Sequence, residues 1–192
     1  MVEAGKRIAR GFWLLWVSAT VAGWSAGSVV SDTLGDAVDE VWFDSLGLIV
    51  LGILIGGMQW LVLRYRVSWA GWWVVANIAG WSIGAVINVP WGLAAGWIVG
   101  VVVACAFQWL VMRRRMSRAG WWVPANMVSW AVGTGGAVAV GVAGAASGVV
   151  FGAIVGAMTG VALIWLFRQP GPEEALKKPA PGIGINFADR SG

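Results

Sequence analysis

From Val67 to Met112, and again from Ala119 to Phe167, the chain runs without a single Asp, Glu, Lys, Arg or His. A helix crossing the hydrocarbon core of a bilayer needs about 20 apolar residues. Each of these stretches is long enough for two crossings. Soluble domains carry about 25% charged residues, whereas this chain has 11%, against 59% hydrophobic. An integral membrane protein is expected. The runs are continuously apolar and lack the alternation of barrel strands. Helices also satisfy their backbone hydrogen bonds within each segment, as hydrocarbon requires. The expected fold is therefore all-α and polytopic, with six spans over residues 12–30, 46–63, 70–89, 91–112, 119–140 and 145–167. Pro90 falls where the fourth span can begin, at a position with no use for an amide hydrogen.

The charges orient these spans. Lys6, Arg7 and Arg10 precede the first, Arg64 and Arg66 follow the second, and Arg113, Arg114, Arg115 and Arg118 separate the fourth from the fifth. Arg168, Lys177, Lys178 and Arg190 follow the sixth, so six crossings put all 13 basic residues on one side. By the positive-inside rule that side is the cytoplasm, with both termini inside and the protein in the cytoplasmic membrane. Residues 1–11 then form a basic cytoplasmic N-terminus, 12–168 the transmembrane domain, and 169–192 a Pro/Gly-rich cytoplasmic tail. The outer loop, 31–45, is acidic. There Asp32, Asp36, Glu40 and Asp44 recur every four residues, a solvated loop with Trp42 at the lipid surface. The net charge of +4 reads as topology, with attraction of Arg64, Arg66, Arg113, Arg114 and Arg115 to lipid headgroups. Nucleic acid is not an expected partner, because no soluble segment carries the charge. A basic start before an apolar run would also suit a cleaved signal peptide, but the first span matches the third and fifth.

That match belongs to an internal repeat. QWLVLRYRVSWAGWWVVAN at 59–77 and QWLVMRRRMSRAGWWVPAN at 108–126 agree at fourteen of nineteen positions, 49 residues apart. Each runs from the end of one span, through a basic turn, into the next, and so encodes an inside hairpin. In the first span Trp16, Thr20 and Trp24 align with Trp73, Asn77 and Trp81 and with Trp122, Asn126 and Trp130. The sixth span ends in LIWLFR, which aligns with QWLVMR, Leu163 replacing Gln108. The ends of the chain thus supply a third, split hairpin, and a pseudo-threefold bundle is expected over an open row. Gly144, Gly148, Gly152, Gly156 and Gly160 form a ridge with one glycine every four residues. Small residues at this spacing let helix backbones approach in lipid. Packing within the monomer is favoured, with a homo-oligomer contact as the alternative. The repeated Gly56-Gly57-Met58-Gln59-Trp60-Leu61-Val62-Leu63-Arg64 and Ala119-Gly120-Trp121-Trp122 segments resemble those of small Trp/Gly-rich multi-pass bacterial membrane proteins. That resemblance covers the second to fifth spans best and implies topology without an activity.

The missing residues limit the chemistry. Without His there is no usual general base, no common metal ligand and no haem ligand of that type. Proton relays and ion-coupled transport use ionisable groups inside the membrane, and none lies within a span. No enzyme activity, catalytic residue or metal site is expected, and no cofactor is assigned. Lone Cys105 has no disulfide partner. The polar groups at depth are Gln59, Asn77, Gln108 and Asn126, at matching distances from the two turns, with Thr20 and Asn88. A Gln–Asn amide pair across each hairpin is expected, worth about 0.6 kcal/mol and up to roughly 2.

Trp13, Trp16, Trp60, Trp69, Trp72, Trp73, Trp109, Trp121, Trp122 and Trp165 lie near the inner ends, where indoles anchor at headgroups. Trp42, Trp91 and Trp97 would do so outside. Trp24, Trp81 and Trp130 are too deep for that. On a pseudo-threefold axis they would form either a packed plug or an apolar pocket with a polar floor. Trp24, Trp81, Trp130, Thr20, Asn77, Asn126, Gln59 and Gln108 are therefore the candidates to hold a lipid or another apolar ligand. The expected function is a non-catalytic structural or accessory subunit with membrane lipids, a larger membrane complex or further copies as partners. A transporter or substrate-binding component for a small neutral or apolar solute is the alternative.

Overall fold

The computed structural model describes residues 2–34, 40–142 and 144–169. All regular structure among them is helical: α1 (Val2–Leu34), α2 (Glu40–Leu63), α3 (Gly71–Trp91), α4 (Leu93–Arg113), a 3-10 turn (Ala119–Trp121), α5 (Trp122–Val140) and α6 (Gly144–Phe167). Five of the six helices are long and apolar enough to cross a membrane. The sixth, α5, has the length of 19 residues, but Pro124, Asn126, Ser129 and Thr134 dilute its apolar character.

The boundaries depart from the sequence expectation in three places. Helix α1 continues back through Lys6, Arg7 and Arg10, because long straight side chains lose little rotamer freedom in a helix. Helices α1 and α2 also reach to Leu34 and Glu40, so only residues 35–39 of the expected outer loop fall outside the described residues. Pro90 does not open α4; it sits in the last turn of α3, and Gly92 at φ 82° then breaks the helix. The Gly92 amide still bonds back to the Asn88 carbonyl at 2.8 Å, so the corner is made by glycine with proline just before it. The tail lies outside the description beyond Gln169, as do the side chains of the acidic stretch before Asp44.

Each helix except α5 packs closely on the one before it, and α6 returns along α1. Small residues set these distances. A Cβ placed on Gly152 would lie 2.8 Å from the Val21 Cα, and one on Gly156 3.1 Å from the Val17 Cα. Gly148, Gly152, Gly156 and Gly160 all face α1, while Gly144 starts α6 at φ 56°. Between α3 and α4, a Cβ on Gly80 would meet the Ala104 backbone at 2.5 Å.

Helix α4 touches α5 only sparsely, and the repeat explains why. Gly52 and Gly56 of α2 let Trp81 and Asn77 of α3 approach, and Gly156 and Gly160 of α6 do the same for Thr20 and Trp16 of α1. The aligned positions in α4 are Val101 and Cys105. There α4 carries side chains where α2 and α6 have glycine.

The turns of the two intact hairpins share one backbone pattern. Arg66 and Val67 amides bond to the Leu63 carbonyl at 2.8 and 2.9 Å, and Arg115 and Met116 amides bond to the Met112 carbonyl at 2.9 Å each. The shared Arg, Ser, Ala and Gly positions keep this hydrogen-bond pattern although Leu63, Tyr65, Val67 and Trp69 become Met112, Arg114, Met116 and Arg118.

Candidate functional site: a polar layer between two tryptophan layers

Spacing by four places Trp16, Thr20 and Trp24 on one face of α1, with Trp73, Asn77 and Trp81 matching them on α3 and Trp122, Asn126 and Trp130 on α5. All three faces turn inward. Toward the basic end, Trp16 and Trp73 meet at 5.9 Å between ring centroids and Trp73 and Trp122 at 5.2 Å, edge to face in both cases. Toward the far end, Trp24, Trp81 and Trp130 form a closed triangle with centroid distances of 6.1, 5.1 and 5.8 Å. Edge-to-face contacts of this kind contribute about 0.5–1.5 kcal/mol each beyond area burial.

Two expectations about tryptophan change here. Trp16, Trp73 and Trp122 are not headgroup anchors; they are 0, 0 and 2% exposed in the lower core. Trp97 is not at an outer surface either, since it stacks on Trp24 at 5.7 Å and 28° and contacts Trp81 and Trp130. Hydropathy gives the depth of a tryptophan but not the face it occupies. The four-residue spacing to Asn77 and Trp81 is the signal that would have placed Trp73 inside. Trp72 and Trp121, the neighbours on the opposite face, point outward. The side chain of Trp42 lies outside the described residues.

Between the two indole layers lies the polar layer, with Thr20, Gln59, Asn77, Gln108, Asn126, Ser129 and Thr159 all buried. Its bonding differs from the expected Gln–Asn pairs. The Trp73 indole N–H donates to Gln59 Oε1 at 2.8 Å, and the Trp122 indole N–H donates to Gln108 Oε1 at 2.9 Å. Asn77 instead donates to the Trp73 carbonyl of its own helix at 2.9 Å. Once Trp73 turns inward, its N–H is a buried donor one turn closer to the hairpin, and Gln59 satisfies it. The split hairpin has Leu163 where Gln108 would stand, and leucine cannot accept. There the Trp16 indole N–H donates to Thr159 Oγ1, one turn away on α6, at 3.0 Å. Thr159 was not singled out from the sequence, although Trp16 without a glutamine opposite is the cue to look for it. Gln59 Nε2 also donates to Thr20 Oγ1 at 3.4 Å, linking the split hairpin to the first intact one.

No protein family, curated protein or solved structure matches this chain. The site is therefore read from its geometry alone.

The polar layer encloses a cavity of about 40 Å³, lined by Gln59, Asn77, Gln108, Asn126 and Thr159 with indoles above and below. A water needs at least roughly 10–15 Å³ on this scale, so the volume suits a few waters and no lipid tail or quinone. Asn126 Nδ2, buried on its wall, is one of two buried side-chain polar atoms without a protein partner among the described residues; Ser25 Oγ is the other. This side of the cavity borders the α4–α5 seam, where Val101 and Cys105 also line it. The described residues contain no cluster of three or more His, Cys, Asp or Glu able to hold a metal.

The bonding ranks three substitutions. Gln108→Leu removes the acceptor of a buried indole N–H and is expected to cost about 0.6–2 kcal/mol. Thr159→Val should cost a similar amount by stranding Trp16. Asn126→Leu removes a donor that no protein group uses and is expected to be close to neutral. Unfolding curves of the three variants in one detergent check this order, which fails if Asn126→Leu is the most damaging.

Proposed function

We propose that this chain is a non-catalytic, six-span protein of the cytoplasmic membrane, built as a pseudo-threefold bundle with both termini inside. It acts as a structural or accessory subunit of a membrane assembly. The observation that carries this reading is the filled axis. Two layers of mutually contacting indoles leave about 40 Å³ between them, and no His, Asp, Glu, Lys or Arg lines that space. A transporter for apolar solutes needs a pocket at midplane, and the candidate pocket is occupied by its own tryptophans. Lipid therefore belongs on the outside of the bundle.

The six-span reading counts α5 as a crossing because α4 and α6, on either side of it, are both apolar enough to span. The shared hairpin turns and the α1–α6 contact support the threefold reading.

Reconstituted into vesicles, the protein is expected to add no permeability to glycerol, urea or a short alcohol above protein-free vesicles. Extraction in mild detergent should leave it in a stoichiometric assembly larger than the monomer. Saturable uptake of a neutral solute, abolished by Trp81→Ala or Asn77→Ala, would replace this reading with the transporter one.

A further inference from the structure

The repeat makes the α1–α2, α3–α4 and α5–α6 seams equivalent, and outward grooves open at the basic end of the second and third of them. They exist because the small residues sit farther along. Gly80, Gly84, Gly96 and Gly100 bring α3 and α4 into backbone contact toward the Gly92 corner. Nearer the basic turns the facing residues are bulky, so the helices part. The three seams differ in what fills them.

In the α5–α6 groove, Trp165 stands at the position of Leu110 and narrows the space to about 400 Å³, and the Arg118 guanidinium lies 5.8 Å from its ring. At the α1–α2 position, Arg66 reaches across to the Ile8 carbonyl at 3.3 Å and lies 5.4 Å from the Phe12 ring. Both of these cations are used by the protein. The α3–α4 groove is open, with about 610 Å³ between Trp69, Trp72, Phe107 and Leu110. That is within the roughly 300–1,000 Å³ of ligand sites. Arg113, Arg114 and Arg115 stand at its mouth. Arg113 lies against Trp109, while Arg114 and Arg115 have no acceptor, ion pair or ring partner among the described residues.

We propose that the α3–α4 groove is a binding site for an anionic phospholipid of the inner leaflet. One acyl chain lies along Leu110, Phe107 and Val75, the glycerol region meets Trp72, and the phosphate is held by Arg114 and Arg115. Charge complementarity favours this occupant over a helix from another protein, since three arginines at the rim would repel a basic inner flank of the kind a spanning helix carries. Guanidinium groups bind phosphate oxygens bidentately, and basic pockets between helices on the cytoplasmic side suit anionic headgroups. The α5–α6 groove is narrower, and the one arginine lining it, Arg118, lies against the Trp165 ring, so it lacks the free guanidinium pair. The proposal rests on the membrane reading above.

The test uses the full chain extracted from vesicles of equal phosphatidylglycerol and phosphatidylcholine, with retained lipid counted by native mass spectrometry. Attraction of about 1 kcal/mol per basic residue translates into a preference for phosphatidylglycerol on the order of tenfold. Arg114→Gln with Arg115→Gln should bring the ratio near one. Leu110→Trp, which narrows the groove as Trp165 narrows its counterpart while keeping every charge, should lower it as well, and Arg118→Gln should leave it unchanged. Equal retention of the two lipids by the unaltered protein overturns the site while leaving the membrane reading intact. Retention of neither lipid overturns the site, whereas failure of the protein to float with the vesicles before extraction overturns the membrane reading itself. A preference that survives Leu110→Trp, or that Arg118→Gln removes equally, makes the effect one of general charge and overturns the groove. So does a dimer that excludes lipid and dissociates in Leu110→Trp.

Discussion

Trp73→Ala should lower the stability of the folded bundle by about 3–5 kcal/mol, the range for removing a fully buried large aromatic. Trp72→Ala, one residue away, should stay within about 0.5 kcal/mol. Trp73 is buried against Trp16 and Trp122 and satisfies Gln59, so its loss opens a cavity and strands an amide acceptor. Trp72 is 63% exposed and faces outward. Equilibrium unfolding in one detergent, followed by a probe that both variants share, measures the difference. Similar losses for the two would mean that the lower indole layer is not the core described above. In a chain with 16 tryptophans, such a contrast between adjacent ones is a strict test of helix rotation.

Gly152→Leu is the second large effect. A Cβ there would lie 2.8 Å from the Val21 Cα and 3.2 Å from the Thr20 carbonyl oxygen, both backbone atoms that cannot rotate away. Overpacking of this kind costs about 1–3 kcal/mol when side chains can adjust, and more when they cannot. The α1–α6 contact is expected to open, with loss of the Trp16–Thr159 hydrogen bond. Gly57→Leu is the matched control, since nothing lies within 4 Å of a Cβ at Gly57. Thermal aggregation of the two purified variants separates them, and equal melting would mean that α6 does not close on α1.

The helical and membrane character of the chain could be read from its uncharged runs, because hydrocarbon imposes length and apolarity on any span. The hairpin turns were legible for a different reason: a fourteen-in-nineteen identity encodes the same backbone twice. The meeting of Trp24, Trp81 and Trp130 followed from their equal places in the repeat. What could not be read was rotation about each helix axis. Depth alone puts Trp73 at the interface, and two amides at one level suggest a Gln59–Asn77 pair. Helix α3 turns its Trp73–Asn77–Trp81 face inward, and that single rotation makes the indole N–H the partner Gln59 must satisfy. Thr159 escaped notice because it compensates for a missing residue, Leu163 in place of glutamine, and a substitute acceptor need not occupy the same register.

The glycine-free stretch of α4 has a consequence for how the bundle is made. Helix α5 is both the one not counted among the five spanning candidates and the one its predecessor grips least. Val101 and Cys105 deny it the close seat that α3 has on α2. Its firm contacts are with α6, where a Cβ on Gly133 would meet Val155 and Phe151 at 2.9 and 3.1 Å. On the six-span reading proposed above, α5 is expected to enter the bilayer together with α6, its firm partner, rather than alone.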